Sequence, residues 1–229
     1  MEFYHLLNRG VDKRDIFLDD QDRFRFIHDL FEFNDTSPAN RNMRRSTQML
    51  DVRRPTFDIG SDVRREPREL LVKVHAFCMM PNHYHLLVSP LVENGVSLFM
   101  KKLNGGYAKY FNEKYERTGA LFQGKYKSVL VDTDAHFLHI PYYIHFNPLD
   151  IEMYEWRERG LKTFNTAQKY LQKYRWSSHL DYLGIKNFPS VTQRDVLLDF
   201  FEGEKGYVKS SVKMLKDFSV EDIQDITLE

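Results

Sequence analysis

Hydrophobic and polar positions alternate along several short stretches of the chain, and two of these stretches are neighbours. Residues 70–79 are apolar and alternating, Pro81 and Asn82 give a turn signal, and residues 83–88 form a second apolar run. This pattern predicts an antiparallel hairpin. Residues 3–8 and 121–131 show similar short runs, so we expect a further strand before the hairpin and another after it.

Two segments between these strands instead carry apolar residues at helical spacing. The first is centred on Phe24, Ile27 and Leu30, and the second spans residues 96–115 with an interruption expected at Gly105-Gly106. The resulting order is strand, helix, strand, strand, helix, strand. That order predicts an α+β protein with a ferredoxin-like (split βαβ) antiparallel sheet and helices on one face, running from residue 3 to about residue 132.

Composition divides the chain further. Residues 35–69 are rich in arginine with little apolar periodicity, which indicates an insertion that is either a solvated loop or a basic arm for phosphate. Residues 184–229 turn acidic and show two short amphipathic patterns. We therefore expect one domain over residues 1–183, containing the insertion, and an acidic helical C-terminal extension over residues 184–229.

The composition of the 229 residues limits which classes of function are expected. No apolar run reaches the roughly 18 residues of a membrane span, and no secretory signal is evident, so we expect a cytoplasmic protein. The single cysteine, Cys78, excludes an intrachain disulfide and is expected to be a buried, inert thiol. With 33 basic and 33 acidic residues, any affinity for nucleic acid must come from where the charges lie.

The second strand of the predicted hairpin begins with His83 and His85. Residues two apart on a strand share a face at about 6–7 Å, while Tyr84 points to the other face. Two imidazoles at that separation can bind one metal ion. The competing interpretation is that one of the two is a core histidine with its hydrogen bonds satisfied.

Residues 101–131 interleave basic and aromatic side chains. This composition suits a single nucleic-acid strand, through phosphate contacts and base stacking, although a solvated helix face would look similar. The candidates for DNA contact include Lys101, Lys102, Tyr107, Lys109, Lys125 and Lys127.

A short helix is expected between two prolines. Residues 132–134 form a capping cluster, Pro141 is expected to start the helix, and Pro148 is expected to stop it after Asn147. Tyr143 and Asn147 would then share one face at i and i+4. His145 would face away, which leaves open whether it is structural. The remaining histidines are expected to be packing, capping or surface residues: His5, His75, His136, His139 and His179.

Several spaced blocks together resemble a known family. They read MMPNHYHLLV at 79–88, LFQGKYKS at 121–128 and YIHFNP at 143–148, with supporting blocks at 4–10 and 174–179. Over residues 3–183 the chain resembles the single-tyrosine HUH transposases of the simplest bacterial insertion sequences, especially the REP-associated tyrosine transposases.

The resemblance implies a metal-dependent single-stranded DNA endonuclease and strand transferase acting at hairpin-containing DNA. Tyr143 would be the nucleophile and form a 5′-phosphotyrosine. His83, His85 and Asn147 would bind Mg²⁺ or Mn²⁺, an assignment that rests on the family because imidazole ligands alone suggest zinc or another transition metal. The partner would be single-stranded or hairpin DNA, bound by a monomer or a homodimer. The predicted DNA contacts are Arg9, Lys101, Lys102, Tyr107, Lys109, Gln123, Lys125 and Lys127.

Two alternatives stay open at this point. A domesticated protein could bind hairpin DNA without cleaving it, although an intact His83, His85, Tyr143 and Asn147 set argues against this. A zinc hydrolase would lack an acidic third ligand. The chain also departs from its relatives, because Asp150 and Glu152 follow Asn147 where those proteins often carry a basic residue, and because Pro141 could shorten or kink the tyrosine helix.

Overall fold

The computed structural model describes residues 1–37, 68–153, 156–159, 161 and 163–217. Most of the predicted arginine-rich insertion at 35–69 and the end of the predicted extension, from residue 218 onward, therefore lie outside the described residues.

Four strands form one antiparallel sheet. They are β1 (Phe3–Arg9), β2 (Val72–Met80), β3 (His83–Pro90) and β4 (Lys127–Val131). Their order in the sheet is β2-β3-β1-β4, with every neighbouring pair antiparallel. This is the order of the split βαβ arrangement, so the predicted ferredoxin-like α+β fold is confirmed. The last strand is shorter than the predicted 121–131, because Phe122 makes only an isolated bridge to Gly10.

Alternation along β3 sends its residues into two different cores. Tyr84, Leu86 and Val88 belong to one cluster of buried side chains, whereas Leu87 belongs to a second cluster on the opposite side of the sheet. His83 and His85 have the same parity as Leu87 and share its face. We call this side the histidine face and the other side the helical face.

Two helices cover the helical face. Helix α1 (Asp20–Glu32) begins at a capping box, in which the Asp19 carboxylate accepts from the Asp22 amide while the Asp22 side chain accepts from the Asp19 amide. Helix α2 (Gly95–Lys114) is continuous, so the interruption predicted at Gly105-Gly106 is wrong. A β-carbon at Gly106 would collide with the Phe33 ring, which explains a glycine there as a close packing contact between the two helices.

Helix α3 (Asp134–Phe146) covers the histidine face. Its N-cap is Thr133, whose hydroxyl accepts from the His136 amide at 3.1 Å, as the capping cluster predicted. Pro141 therefore lies inside the helix and does not start it, which corrects that expectation. Packing against the sheet offsets the backbone hydrogen bond that a proline removes, because Ile140 to Phe146 are buried without exception.

The rest of the described chain completes the second core. It forms six helices: α4 (Leu149–Glu152), α5 (Trp156–Arg159), α6 (Phe164–Lys173), α7 (His179–Tyr182), α8 (Asp195–Phe200) and α9 (Gly203–Asp217). Tyr207 and Leu215 of α9 pack in the same buried cluster as Tyr142 and Cys78. The described part of the predicted extension thus shares a core with the sheet and helix α3.

Candidate active site

The two histidines of β3 lie side by side and buried on the histidine face. His83 is 6% exposed and His85 is fully buried, and their ring centroids are 4.9 Å apart at an interplanar angle of 79°. Strand pairing places His83 opposite Arg9 and His85 opposite Leu7, so the face continues across β1.

Each of the two rings has its Nδ1 atom held by a neighbouring side chain. Nδ1 of His83 lies 2.6 Å from Oδ1 of Asn82, which can only accept, so His83 carries its proton on Nδ1. Nδ1 of His85 lies 2.9 Å from Nε2 of His5. When His85 donates in that contact, both β3 histidines present an Nε2 lone pair, which is the form that binds a metal ion.

Tyr143 lies against this histidine group. Its ring meets that of His85 edge-on at 5.6 Å and 90°, and that of His5 at 5.7 Å and 79°. The side chain is 1% exposed. Helix α3 packs on β2 and β3, and this packing brings the tyrosine to the histidine pair that lies about sixty residues earlier in the chain.

The adjacent Tyr142 has a different environment. Its ring stacks on Tyr207 at 5.5 Å, and its hydroxyl lies 2.6 Å from Oγ of Ser210. Burial raises the pKa of Tyr142 to about 12, against a smaller lowering by the Ser210 contact. Of the two neighbouring tyrosines, only Tyr143 is in contact with the histidines of β1 and β3.

Asn147 lies one turn after Tyr143, as predicted, and both ends of its amide are engaged. Nδ2 donates to the Tyr143 carbonyl at 2.8 Å, and Oδ1 accepts from Nη2 of Arg157 at 3.0 Å. The guanidinium of Arg157 also lies 4.8 Å from the Tyr143 ring centroid and is held by Asp150. Neither Arg157 nor His5 was predicted as a site residue.

His145 points away from the site, which settles the role left open by the sequence as a structural one. Its Nδ1 lies 2.7 Å from the Tyr207 hydroxyl and its Nε2 lies 2.7 Å from Oγ of Ser178. Burial, with a smaller contribution from neighbouring His179, holds the pKa of His145 well below its usual value. His179 contacts the same Tyr207 hydroxyl at 2.8 Å, and burial lowers its pKa to about 4.

The predicted DNA contacts divide between the two sides of the sheet. Arg9 and Lys127 belong to the histidine face, because Arg9 pairs with His83 and Lys127 pairs with Leu7, which itself pairs with His85. The backbone amide of Gln123 donates to the Arg9 carbonyl at 2.9 Å. Lys125, two residues later, is exposed.

The other four predicted contacts lie on α2, which covers the opposite side. Lys101 and Lys109 are exposed there, and Lys102 donates to the carbonyl of Ser37 at 2.9 Å. Tyr107 is fully buried and its hydroxyl donates to the Ile16 carbonyl at 2.6 Å, so the expectation that it stacks on a base is corrected. Phe122, another aromatic side chain of the 101–131 segment, is also buried.

The site fits a metal ion through its two histidines. Both have an Nδ1 contact with a neighbouring side chain, which is the usual outer-shell arrangement of metal-binding histidines. The predicted third ligand, Asn147, fits less well, because its oxygen already accepts from a cationic guanidinium. Within the described ranges, no group of three or more His, Cys, Asp or Glu residues is placed to hold a metal.

Comparison with known proteins gives a family likeness for part of the chain. The sequence model of the IS200-like transposases matches residues 61–147. Over this segment, which includes both β3 histidines, Tyr143 and Asn147, the chain is similar to the IS200-like transposase family. Transposases cleave and rejoin DNA, and this family generally uses a divalent metal.

Two further comparisons were made. A solved structure described as a REP-associated tyrosine transposase bound to a REP hairpin is similar to this chain with a TM-score of 0.44 and 11% identity, over 84% of each chain. No curated protein matches the sequence. Among the described helices, none is both long enough and apolar enough to cross a membrane.

Proposed function

We propose that this chain is a metal-dependent single-stranded DNA endonuclease and strand transferase of the REP-associated type, with Tyr143 as its nucleophile. The observation that carries the proposal is the edge-on contact of Tyr143 with His85, at 5.6 Å, on the sheet face that also holds His83. A nucleophile and a pair of metal-competent imidazoles thereby meet at one place, from two segments about sixty residues apart.

The proposed reaction is an in-line displacement at phosphorus. The phenolic oxygen of Tyr143 forms a bond to phosphorus as the bond from phosphorus to the 3′ oxygen breaks. The product is a 5′-phosphotyrosine and a free 3′-hydroxyl, with the phenolic proton balanced by the proton gained at the 3′ oxygen. Because one phosphate ester replaces another, the same step can run backwards and rejoin a strand.

Mg²⁺ or Mn²⁺ is the proposed cofactor, held by His83 and His85. Such an ion would polarise the scissile phosphate and offset its developing negative charge. His5 and Asn82 would keep the two imidazoles in the required tautomer. Asn147 stays a predicted third ligand. Its Oδ1 atom would then contact both Arg157 and the metal.

The proposed substrate is single-stranded or hairpin DNA lying along the edge of the histidine face. Arg9, Gln123, Lys125 and Lys127 are the predicted contacts on or beside that face. Unpaired bases offer faces for stacking that duplex would hide. The partly exposed Tyr126 packs against the helical-face cluster, so it would contact only DNA that also reaches that side. Lys101, Lys102 and Lys109 would contact only DNA that also reaches α2.

The direct test incubates the protein with hairpin oligonucleotides from the flanks of its own gene, with Mg²⁺ or Mn²⁺, and looks for a covalent protein–DNA adduct. The proposal requires an adduct that is lost with chelator. Tight hairpin binding without an adduct under any metal would instead support the domesticated, non-cleaving alternative.

A further inference from the structure

Arg157 and Asp150 form an ion pair directly beside the proposed nucleophile. Nε of Arg157 lies 3.0 Å and Nη2 lies 2.9 Å from the two carboxylate oxygens of Asp150, a bidentate geometry. Trp156 donates from its indole nitrogen to the same carboxylate at 2.6 Å. The side chains of Arg157 and Asp150 are only 14% and 24% exposed, so the pair is packed in place.

The same guanidinium reaches Tyr143 of helix α3 and Asn147, the C-cap residue of that helix. Nη2 donates to Oδ1 of Asn147 at 3.0 Å, and the guanidinium carbon lies 4.8 Å from the centroid of the Tyr143 ring. Asp150 lies in the short helix α4, directly after α3, while Arg157 lies in α5. Arg157 therefore connects helix α5 to the turn of helix α3 that carries Tyr143.

Arg157 and two histidines contact the same Tyr143 ring. His5 and His85 meet the Tyr143 ring in edge-on geometry, and Arg157 lies over the same ring. A planar guanidinium can hold a carboxylate bidentately, donate to an amide and lie over a ring at once, whereas a lysine ammonium cannot. In-line attack is sensitive to such restraint, since a displacement of about 1 Å can cost on the order of 10²-fold in rate.

We propose that Arg157, anchored by Asp150, is a positioning residue that fixes the Tyr143 ring and the Asn147 amide for attack on the DNA phosphate. The inference rests on the proposed function and deepens it. It also gives the acidic residue at position 150 a role: Asp150 acts through Arg157 and not on the DNA.

The test compares Arg157→Gln, Arg157→Lys, Asp150→Asn and the double variant Asp150→Asn/Arg157→Gln with wild type. Arg117→Gln is the matched control, because Arg117 also lies over an aromatic ring, that of Phe111, and donates to an asparagine, Asn112, but on the helical face. Three quantities are measured: the single-turnover cleavage rate at saturating hairpin DNA, the DNA dissociation constant, and the NMR signal and hydrogen exchange of the Asn147 side-chain amide in free protein.

We expect Arg157→Gln and Arg157→Lys to lower the saturated cleavage rate by about 10²-fold with DNA affinity changed less than about threefold. Asp150→Asn should give a smaller loss, and the double variant should be no slower than Arg157→Gln, because both residues act in one chain of contacts. In each of these variants the NMR signal of the Asn147 side-chain amide should shift, and its hydrogens should exchange faster. Neither the signal nor the exchange rate should change in Arg117→Gln.

Three results would overturn the inference alone: an unchanged Asn147 amide in Arg157→Gln, a wild-type cleavage rate at saturating DNA, or a loss confined to DNA affinity, which would make Arg157 a phosphate contact. Failure of the proposed function looks different, because wild-type protein itself would then form no adduct, and the positioning role would fall with it.

Discussion

The two faces of the sheet are built from alternate residues of the same strands, yet they differ in chemistry. On the helical face, Tyr84, Leu86 and Val88 pack under α1 and α2 in an almost wholly apolar cluster. On the histidine face, the next residues along β3 are imidazoles, buried against a tyrosine. Burying polar rings costs free energy unless they are paired, so a core alone does not call for them there. The alternation of one strand thus sends apolar side chains to one face and the two histidines to the other.

The histidine face is itself divided into two groups of histidines. In the first group, His85 contacts both His5 and His83, and the His5 and His85 rings contact Tyr143. His145 and His179 are instead joined through the Tyr207 hydroxyl, with pKa values lowered by burial. The second group connects helix α3 to the C-terminal helix α9. The histidines of this face therefore differ in their partners: the first group contacts Tyr143, and the second contacts Tyr207.

The largest effect is expected from removing the histidine pair. His83→Ala and His85→Ala should each abolish cleavage, and the double variant should lose Mn²⁺ binding, because the two imidazoles supply the ligand nitrogens. Asn147→Ala should weaken metal binding less, since its oxygen is shared with Arg157. Calorimetric titration with Mn²⁺ measures this. Undiminished binding in the double variant would place the metal elsewhere.

The second group, His145 and His179, is expected to make the stability of the fold sensitive to acid. The folded-state pKa of His179 is about 4, below the ordinary value of 6.5, so the unfolded chain binds the extra proton between these values. The contribution of His179 to the free energy of unfolding is therefore fully present above about pH 6.5. It falls by on the order of 3 kcal/mol as the pH drops to about 4 and below. Urea unfolding at pH 7.0 and 5.0 measures the first part of this fall, about 2 kcal/mol.

His179→Gln should flatten this pH dependence, although His75 and His145, whose pKa values are also lowered by burial, contribute in the same direction. An equally steep dependence in His179→Gln would show that His179 is not the group responsible.

His5 is expected to affect metal affinity through its contact with His85. His5→Ala removes the partner of Nδ1 of His85, so Mn²⁺ affinity should fall by about 10- to 100-fold, the usual cost of losing an outer-shell partner. His75→Ala is a suitable control, because His75 is also a buried strand histidine but bonds Ser89 and the Gln193 carbonyl. Equal losses in both variants would mean that the effect is general destabilisation.

The smallest effects are expected at the DNA contacts, and they distinguish the two faces. For single-stranded DNA, each phosphate contact contributes about −0.7 to the slope of log affinity against log salt. Lys125→Ala and Lys127→Ala should each make the slope shallower by about that amount. Lys101→Ala, on the opposite side, should not. A change confined to Lys101→Ala would move the DNA to helix α2.

Local patterns in the sequence were sufficient for much of this account. Period-two alternation predicted the strands and the shared face of His83 and His85, and the predicted capping cluster contains the N-cap of α3, Thr133. The errors arose where tertiary packing overrides local preference. Pro141 is accommodated because the helix around it is buried, and Gly106 lies within a helix because Phe33 needs the space.

What could not be predicted depends on long-range register. His5 becomes a partner of His85 only because β1 pairs with β3, and a lone histidine in a strand carries no signal of this. Arg157 lies in a short helix without clear periodicity, and its contacts with Tyr143 and Asn147 follow from tertiary packing alone. Tyr107 was misjudged because a basic helix with aromatic residues looks alike whether its aromatics face the core or the solvent.

The central claim, that Tyr143 attacks DNA, is tested most directly by mapping the covalent adduct in Tyr143→Phe beside Tyr142→Phe. The substitution at 143 removes one oxygen and should abolish the adduct while hairpin affinity stays within about twofold. The substitution at 142 loses only the contact with Ser210, about 1 kcal/mol of stability, and should keep the adduct. An adduct that persists in Tyr143→Phe, or that maps to Tyr142, would contradict the account.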